Sequence, residues 1–192
     1  MRHQNSDASH HQPQMAHTSL NTSSAYAGSI TLIGMPASGK STLGCALAHQ
    51  LNKQFIDADK LIESTYHKTL EQLIDKHGVA RFLQIESDAV CSIDDENAVI
   101  STGGSAVYSA RAMEHVATLG PLVYLEVSCD ELEKRLGNLQ ERGVVARDGS
   151  VVSLPQLYSE RVPLYRRYAT ITVNVDGTTV QEALQKLLNA LQ

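Results

Sequence analysis

The chain has 192 residues, 42% of them apolar, and a formal net charge of −5. This length suits one domain with a sizeable core, and the acidic balance argues against general nucleic-acid or anionic-membrane binding. Three cysteines (Cys45, Cys91 and Cys129) without a C-x-x-C argue against a disulfide framework or a zinc site; they suit a reducing, cytoplasmic setting as small buried apolar residues.

Residues 1–28 are rich in His, Ser, Gln, Asn and Thr, with only Arg2 and Asp7 charged. Such a segment cannot bury enough apolar surface to offset its ordering entropy, so a disordered polar tail is expected before a domain at 29–192. His3, His10, His11 and His17 are read as part of that solvated tail rather than as metal ligands. No apolar stretch is long enough to span a membrane.

A short apolar strand is expected at 30–33, followed by Gly34-Met35-Pro36-Ala37-Ser38-Gly39-Lys40-Ser41. This segment matches G-x-x-x-x-G-K-[ST], in which glycines turn the backbone so that successive N–H groups face one hollow. A helix at 40–51 adds the positive end of its dipole. Gly34, Ala37, Ser38, Gly39, Lys40, Ser41 and Thr42 form the candidate nucleotide-binding loop. Lys40 would reach the β- and γ-phosphates, and the Ser41 hydroxyl suits Mg²⁺.

A second strand at 54–57 runs into Asp57-Ala58-Asp59. Read as extended chain, this places two carboxylates on one side. One could hold Mg²⁺ while the other orients or deprotonates a hydroxyl; alternatively Asp59 simply caps a helix at 59–66. Helices follow at 69–76 and 79–92, then a strand at 98–101 ending in Gly103-Gly104, which is either a turn or a place where ligand approaches bare backbone. A helix at 110–119, a strand at 122–127 and a helix at 130–139 come next. Residues 137–153, with three glycines and no periodicity, read as a lid loop. Arg135 and Arg142 flank its start. They could carry charge to a phosphoryl group or pair with Glu131, Glu133 and Glu141 on a solvated face. Arg161 lies in a helix at 154–168 and could grip a substrate carboxylate or pair with Glu160 or a neighbouring helix. A strand at 171–175 and a helix at 179–191 close the chain.

Alternating strands and helices imply an α/β fold, a parallel sheet with helices on both faces, whose ligands gather beyond the carboxyl ends of the strands. A nucleotide-dependent switch is disfavoured. Asp75-Lys76-His77-Gly78 fits D-x-x-G only inside a helical pattern, and Asn52-Lys53-Gln54-Phe55 breaks the N-K-x-D base-reading motif.

The segments GMPASGKST, FIDADKLIE, HGVARFLQIE, STGGSAV, Arg135 with Arg142 seven residues on, and ERVPLYRRYA occur in this order. Together they resemble the shikimate kinases, within the nucleoside-monophosphate-kinase-like P-loop proteins, over 29–192. The resemblance implies a three-layer P-loop kinase fold with a five-stranded parallel sheet of order 2-3-1-4-5 and a lid. It also implies transfer of phosphate from ATP, with Mg²⁺, to a small-molecule hydroxyl, converting shikimate to shikimate 3-phosphate in a cytoplasmic, monomeric enzyme. By position, Lys40 and Ser41 serve phosphate and metal. Asp57 is the acid near Mg²⁺. Asp59 binds substrate hydroxyls and acts as base. Arg135 lies against adenine, Arg142 reaches phosphate from the lid, and Gly103, Gly104 and Arg161 meet the acceptor. Val175-Asp176-Gly177 matches the adenine-side loop.

Three positions depart from the family pattern. F-R-x-x-E reads Phe82-Leu83-Gln84-Ile85-Glu86. The triple glycine ends in Ser105. The lid's R-P-L-L reads Arg142-Gly143-Val144-Val145. On an ideal helix Arg81 points about 200° from Leu83 and substitutes poorly for the missing arginine. The altered acceptor half leaves room for another small hydroxy acid, or an amino alcohol such as homoserine, as the acceptor. It also leaves room for a nucleotide-binding protein without kinase activity, although Lys40, Asp57 and Asp59 all remain.

Overall fold

The computed structural model describes residues 27–136 and 153–192. Residues 1–26 of the expected 1–28 tail, most of the lid loop and Arg142 lie outside the described residues. Five strands, β1 Ile30–Ile33, β2 Gln54–Asp57, β3 Ala98–Ser101, β4 Leu122–Glu126 and β5 Ile171–Asn174, form one sheet. Its order is β2-β3-β1-β4-β5, and every described pairing is parallel.

All four residues of β1 are buried, which requires cover on both faces of the sheet and explains its run of apolar side chains. The helices are α1 Lys40–Leu51, α2 Ala58–Tyr66, α3 Leu70–Cys91, α4 Ala110–Leu119, α5 Cys129–Leu136, α6 Leu154–Tyr168 and α7 Val180–Ala190. Helix α1 packs on α7 and against β2 and β3, while α4 lies against β1 and α6 against β4. Gly44 permits the close approach of α1 to the sheet, because a Cβ there would lie 2.6 Å from Phe55 Cε2.

The expected break between two helices near residue 78 appears as a kink inside α3. Gly78 has φ 73° and ψ 163°, a conformation that interrupts the helix and favours glycine. Thr69 opens α3 through a capping box with Gln72, and Ser153 and Thr179 open α6 and α7 in the same way. The cysteine expectation is corrected: Cys45 is exposed and Cys91 and Cys129 are half-buried, all as free thiols. Cys45 lies on the outer face of α1, away from the buried stripe of Leu43, Gly44, Leu47 and Ala48.

Candidate active site

The loop after β1 is bent by backbone conformations that few side chains adopt. Gly34 has φ 150°, Ala37 φ 62° and Gly39 φ 97°. Gly39 is the N-cap of α1 and no side chain caps that helix, so its first N–H groups are left for a ligand. Within the loop, the Lys40 ammonium donates to the carbonyls of Gly34 and Met35 at 2.9 and 2.8 Å. Burial pushes the Lys40 pKa down to about 8, with the Arg161 charge adding to the fall and Asp59, Asp57 and Glu86 opposing it. Lys40 therefore sits within the field of every charged group named for the acceptor side.

The Asp57–Asp59 pair differs from its extended-chain reading. Strand β2 ends at Asp57 and α2 begins at Ala58, so Asp59 stands in the first helical turn. The cap is Asp57, not Asp59: Asp57 Oδ1 accepts from the N–H groups of Asp59 and Lys60 at 3.0 and 3.4 Å. The physical reason is the extended backbone of Asp57, with φ −103° and ψ 114°, which only a cap residue keeps. Capping by Asp57 frees the Asp59 side chain. Asp59 Oδ1 is buried without a hydrogen-bond partner, and burial raises its pKa, with Lys40 pulling the other way. A raised pKa at an unpartnered carboxylate suits proton acceptance from a hydroxyl.

Gly103 and Gly104 form a turn that other side chains approach closely. The Gly103 carbonyl accepts from Ala106 N at 3.3 Å and starts a single 3-10 turn, Ala106–Tyr108. A Cβ on Gly103 would collide with Glu86 Oε1 and lie 2.8 Å from Asp59 Oδ1. One on Gly104 would lie 3.0 Å from the Pro36 ring and 3.1 Å from Arg161 Nη1. The glycine pair thus brings Asp59 and Glu86, Arg161 and the phosphate loop around one point. Tyr165, one turn beyond Arg161 on α6, donates its hydroxyl to the Gly104 carbonyl at 2.6 Å and stacks on Tyr124 with ring centroids 5.3 Å apart.

Glu86 and Arg161 are both buried, each only 2% exposed. Burial raises the Glu86 pKa to about 7 despite a hydrogen bond with the Ser105 side chain, and its Oε2 has no partner. Arg161 donates Nε–H to the Tyr108 hydroxyl at 3.0 Å. Leu83 lines a cleft of about 430 Å³ with Arg81, Gln84, Ser105, Tyr108 and others. Arg81 reaches the same cleft in spite of its helical offset, because its long exposed side chain bends to Gln84 Oε1 at 2.9 Å.

A second cleft, of about 330 Å³, runs from Ala37, Ser38, Gly39 and Thr42 to Arg135, Val175 and Thr178. Arg135 pairs with Glu131 at 2.9 Å and donates to the Val175 carbonyl at 3.3 Å while lining this cleft. Ser41 is exposed on the first turn of α1. Among the described residues no three His, Cys, Asp or Glu side chains cluster as a metal cage. Mg²⁺ is commonly held by one or two protein oxygens plus substrate phosphates, and the all-oxygen set of Ser41 and Asp57 fits that pattern.

Sequence reasoning missed Tyr108 and Tyr165. The four-residue spacing of Arg161 and Tyr165 was a legible sign that they share a helix face.

The family model described as shikimate kinase matches residues 36–192. A shikimate kinase of Francisella philomiragia is 34% identical over 160 residues, covering 82% of this chain and 91% of that protein. The solved shikimate kinase of Acinetobacter baumannii, in complex with shikimate, has a TM-score of 0.74 at 27% identity and covers 85% of this chain and 92% of its own. That of Bacteroides thetaiotaomicron has a TM-score of 0.72 at 31% identity, covering 86% and 99%.

Proposed function

The chain belongs to the shikimate kinase family and is an ATP-dependent small-molecule kinase; from that premise we propose how its residues move a phosphoryl group to shikimate. The acceptor is a hydroxyl of shikimate, and the product is shikimate 3-phosphate. The family match favours this acceptor over another hydroxy acid or an amino alcohol.

The observation that carries the assignment is the convergence of Lys40, Asp59, Glu86 and Arg161 on the Gly103-Gly104 turn. Base and ribose occupy the cleft beside Arg135. The phosphates lie over Gly34, Ala37, Ser38, Gly39, Lys40, Ser41 and Thr42. The shikimate carboxylate meets Arg161, and a hydroxyl meets Asp59. The hydroxyl oxygen forms a bond to the γ-phosphorus, the bond from that phosphorus to the β,γ-bridging oxygen breaks, ADP leaves, and Asp59 takes the proton. Lys40 stabilises charge on the transferring group. Ser41 and Asp57 would hold Mg²⁺, which when bound neutralises phosphate charge. Arg142, outside the described residues, is assigned to phosphate by position.

The same proposal takes 29–192 as the kinase domain and the enzyme as a cytoplasmic monomer. No helix among the described residues is long and apolar enough to cross a membrane. The test is Asp59→Asn. Turnover on shikimate should fall by about a hundredfold or more while ATP affinity holds. Turnover near wild type would overturn the role of Asp59.

A further inference from the structure

Arg161 enters the site from α6 as a long side chain with many rotamers, yet it is 2% exposed and confined on several sides. Its Nε–H donates to the Tyr108 hydroxyl at 3.0 Å. Its guanidinium carbon lies 5.0 Å from the centroid of the Tyr108 ring, within cation–π range. Its Nη1 faces Gly104, where an added Cβ would come within 3.1 Å.

Tyr108 is itself held. It ends the short turn that follows Gly103-Gly104-Ser105, and its N–H donates to the Ser105 carbonyl at 3.0 Å. Arginine has no acceptor, so the Tyr108 oxygen must accept from Nε. The turn holds the Tyr108 backbone, and its hydroxyl and ring together restrain the guanidinium.

We propose that Tyr108 is a positioning residue for acceptor specificity: it clamps the Nε edge and one face of Arg161, so that the Nη end is aimed at the carboxylate of the acceptor beside Gly104. The proposal rests on the reading of Arg161 as the carboxylate-binding residue. Its chemical logic follows from Leu83. With an apolar side chain where the family pattern has an arginine, Arg161 carries the carboxylate without an arginine at 83, and a loosely held guanidinium would bind a small anion weakly. Ordering Arg161 in the free enzyme removes that entropic cost from the binding step. Tyr108 touches no reacting atom, so its effect falls on acceptor affinity rather than on the chemical step.

The experiment is steady-state kinetics with shikimate varied at saturating ATP, for wild type, Tyr108→Phe, Tyr108→Leu and Arg161→Lys, with a melting curve for each. Tyr108→Phe keeps the ring and loses the hydroxyl. It should raise the KM for shikimate about fivefold, with kcat and the KM for ATP within about twofold of wild type. Tyr108→Leu loses both contacts and should raise the same KM about tenfold or more. An unchanged KM in Tyr108→Phe, with Arg161→Lys raising it strongly, overturns the positioning role and leaves the Arg161 reading standing. An unchanged KM in Arg161→Lys removes that reading, and the proposal with it. Equal rises in the KM for ATP and for shikimate, together with a lowered melting temperature, would show a general structural defect and also overturn the proposal.

Discussion

The Lys40 ammonium lies 2.8 Å from the carbonyl oxygen of Met35 and 2.9 Å from that of Gly34, folded back on the loop that holds it. The two carbonyls keep a buried cation hydrogen-bonded at a position where burial, only partly offset by the neighbouring carboxylates, lowers its pKa to about 8. A phosphate oxygen is a stronger acceptor than either carbonyl, so nucleotide would draw the ammonium outward and restore its preference for the charged form.

Lys40→Ala should therefore lower kcat on shikimate by about a hundredfold or more, since the charge that follows the transferring phosphoryl group is gone. The fold should survive, because the lysine meets only its own loop's carbonyls in hydrogen bonds and the variant takes that ammonium out of a buried site. Stopped or continuous ADP release, together with a melting curve, checks both halves. A variant with near-normal turnover would remove Lys40 from the chemistry.

Glu86 gives a prediction in pH. Burial raises its pKa from the ordinary 4.5 to about 7 in the folded protein. Between these two values the folded chain keeps a proton that the unfolded chain has released, so stability falls as pH rises. The contribution is complete below about pH 4.5 and lost above about pH 7. Asp59, also raised by burial, acts in the same sense. The melting temperature of the ligand-free protein should drop across this window by something on the order of 5 °C from Glu86. Glu86→Gln should flatten that part of the curve. Parallel curves for wild type and variant would contradict the placement of an ionisable Glu86 in the core of the site.

Leu83 gives a gain rather than a loss. It stands where the family pattern has an arginine, in the wall of a cleft that Ser105 and Tyr108 also line, and Glu86 lies one helical turn further along α3. An arginine here would find a carboxylate in the wall and a second one on shikimate. Leu83→Arg should lower the KM for shikimate about tenfold and leave kcat within about threefold of wild type. A raised KM would mean that the pocket has been reshaped around an apolar contact at this position.

Much of the architecture could be read before the structure was known, because its signals are local. Short, mostly apolar β-type runs marked β1 and β3, and Gly78 broke α3 where a two-helix reading expected the break. The phosphate loop declared itself through Gly34 and Gly39, whose positive φ the turn requires, and through Lys40 after them. The acceptor side was harder, because its contacts join residues far apart in the chain. Nothing in the sequence ties Arg161 to Tyr108 or Tyr165 to Gly104, since each pair bridges separate elements. That Asp57 rather than Asp59 caps α2 was hidden for a different reason: one residue's shift in the helix start decides which carboxylate caps the helix. The expected buried cysteines failed at Cys45 because α1 turns that residue outward.

The most direct test of the account is ADP release by the wild-type protein supplied with ATP and Mg²⁺, measured with and without shikimate, with the phosphorylated product identified. The account predicts release that depends on shikimate, in equal amounts with a shikimate monophosphate bearing the new group on a hydroxyl, and abolished in Lys40→Ala. ADP release indifferent to shikimate, or no phosphorylated shikimate at millimolar acceptor, would contradict it.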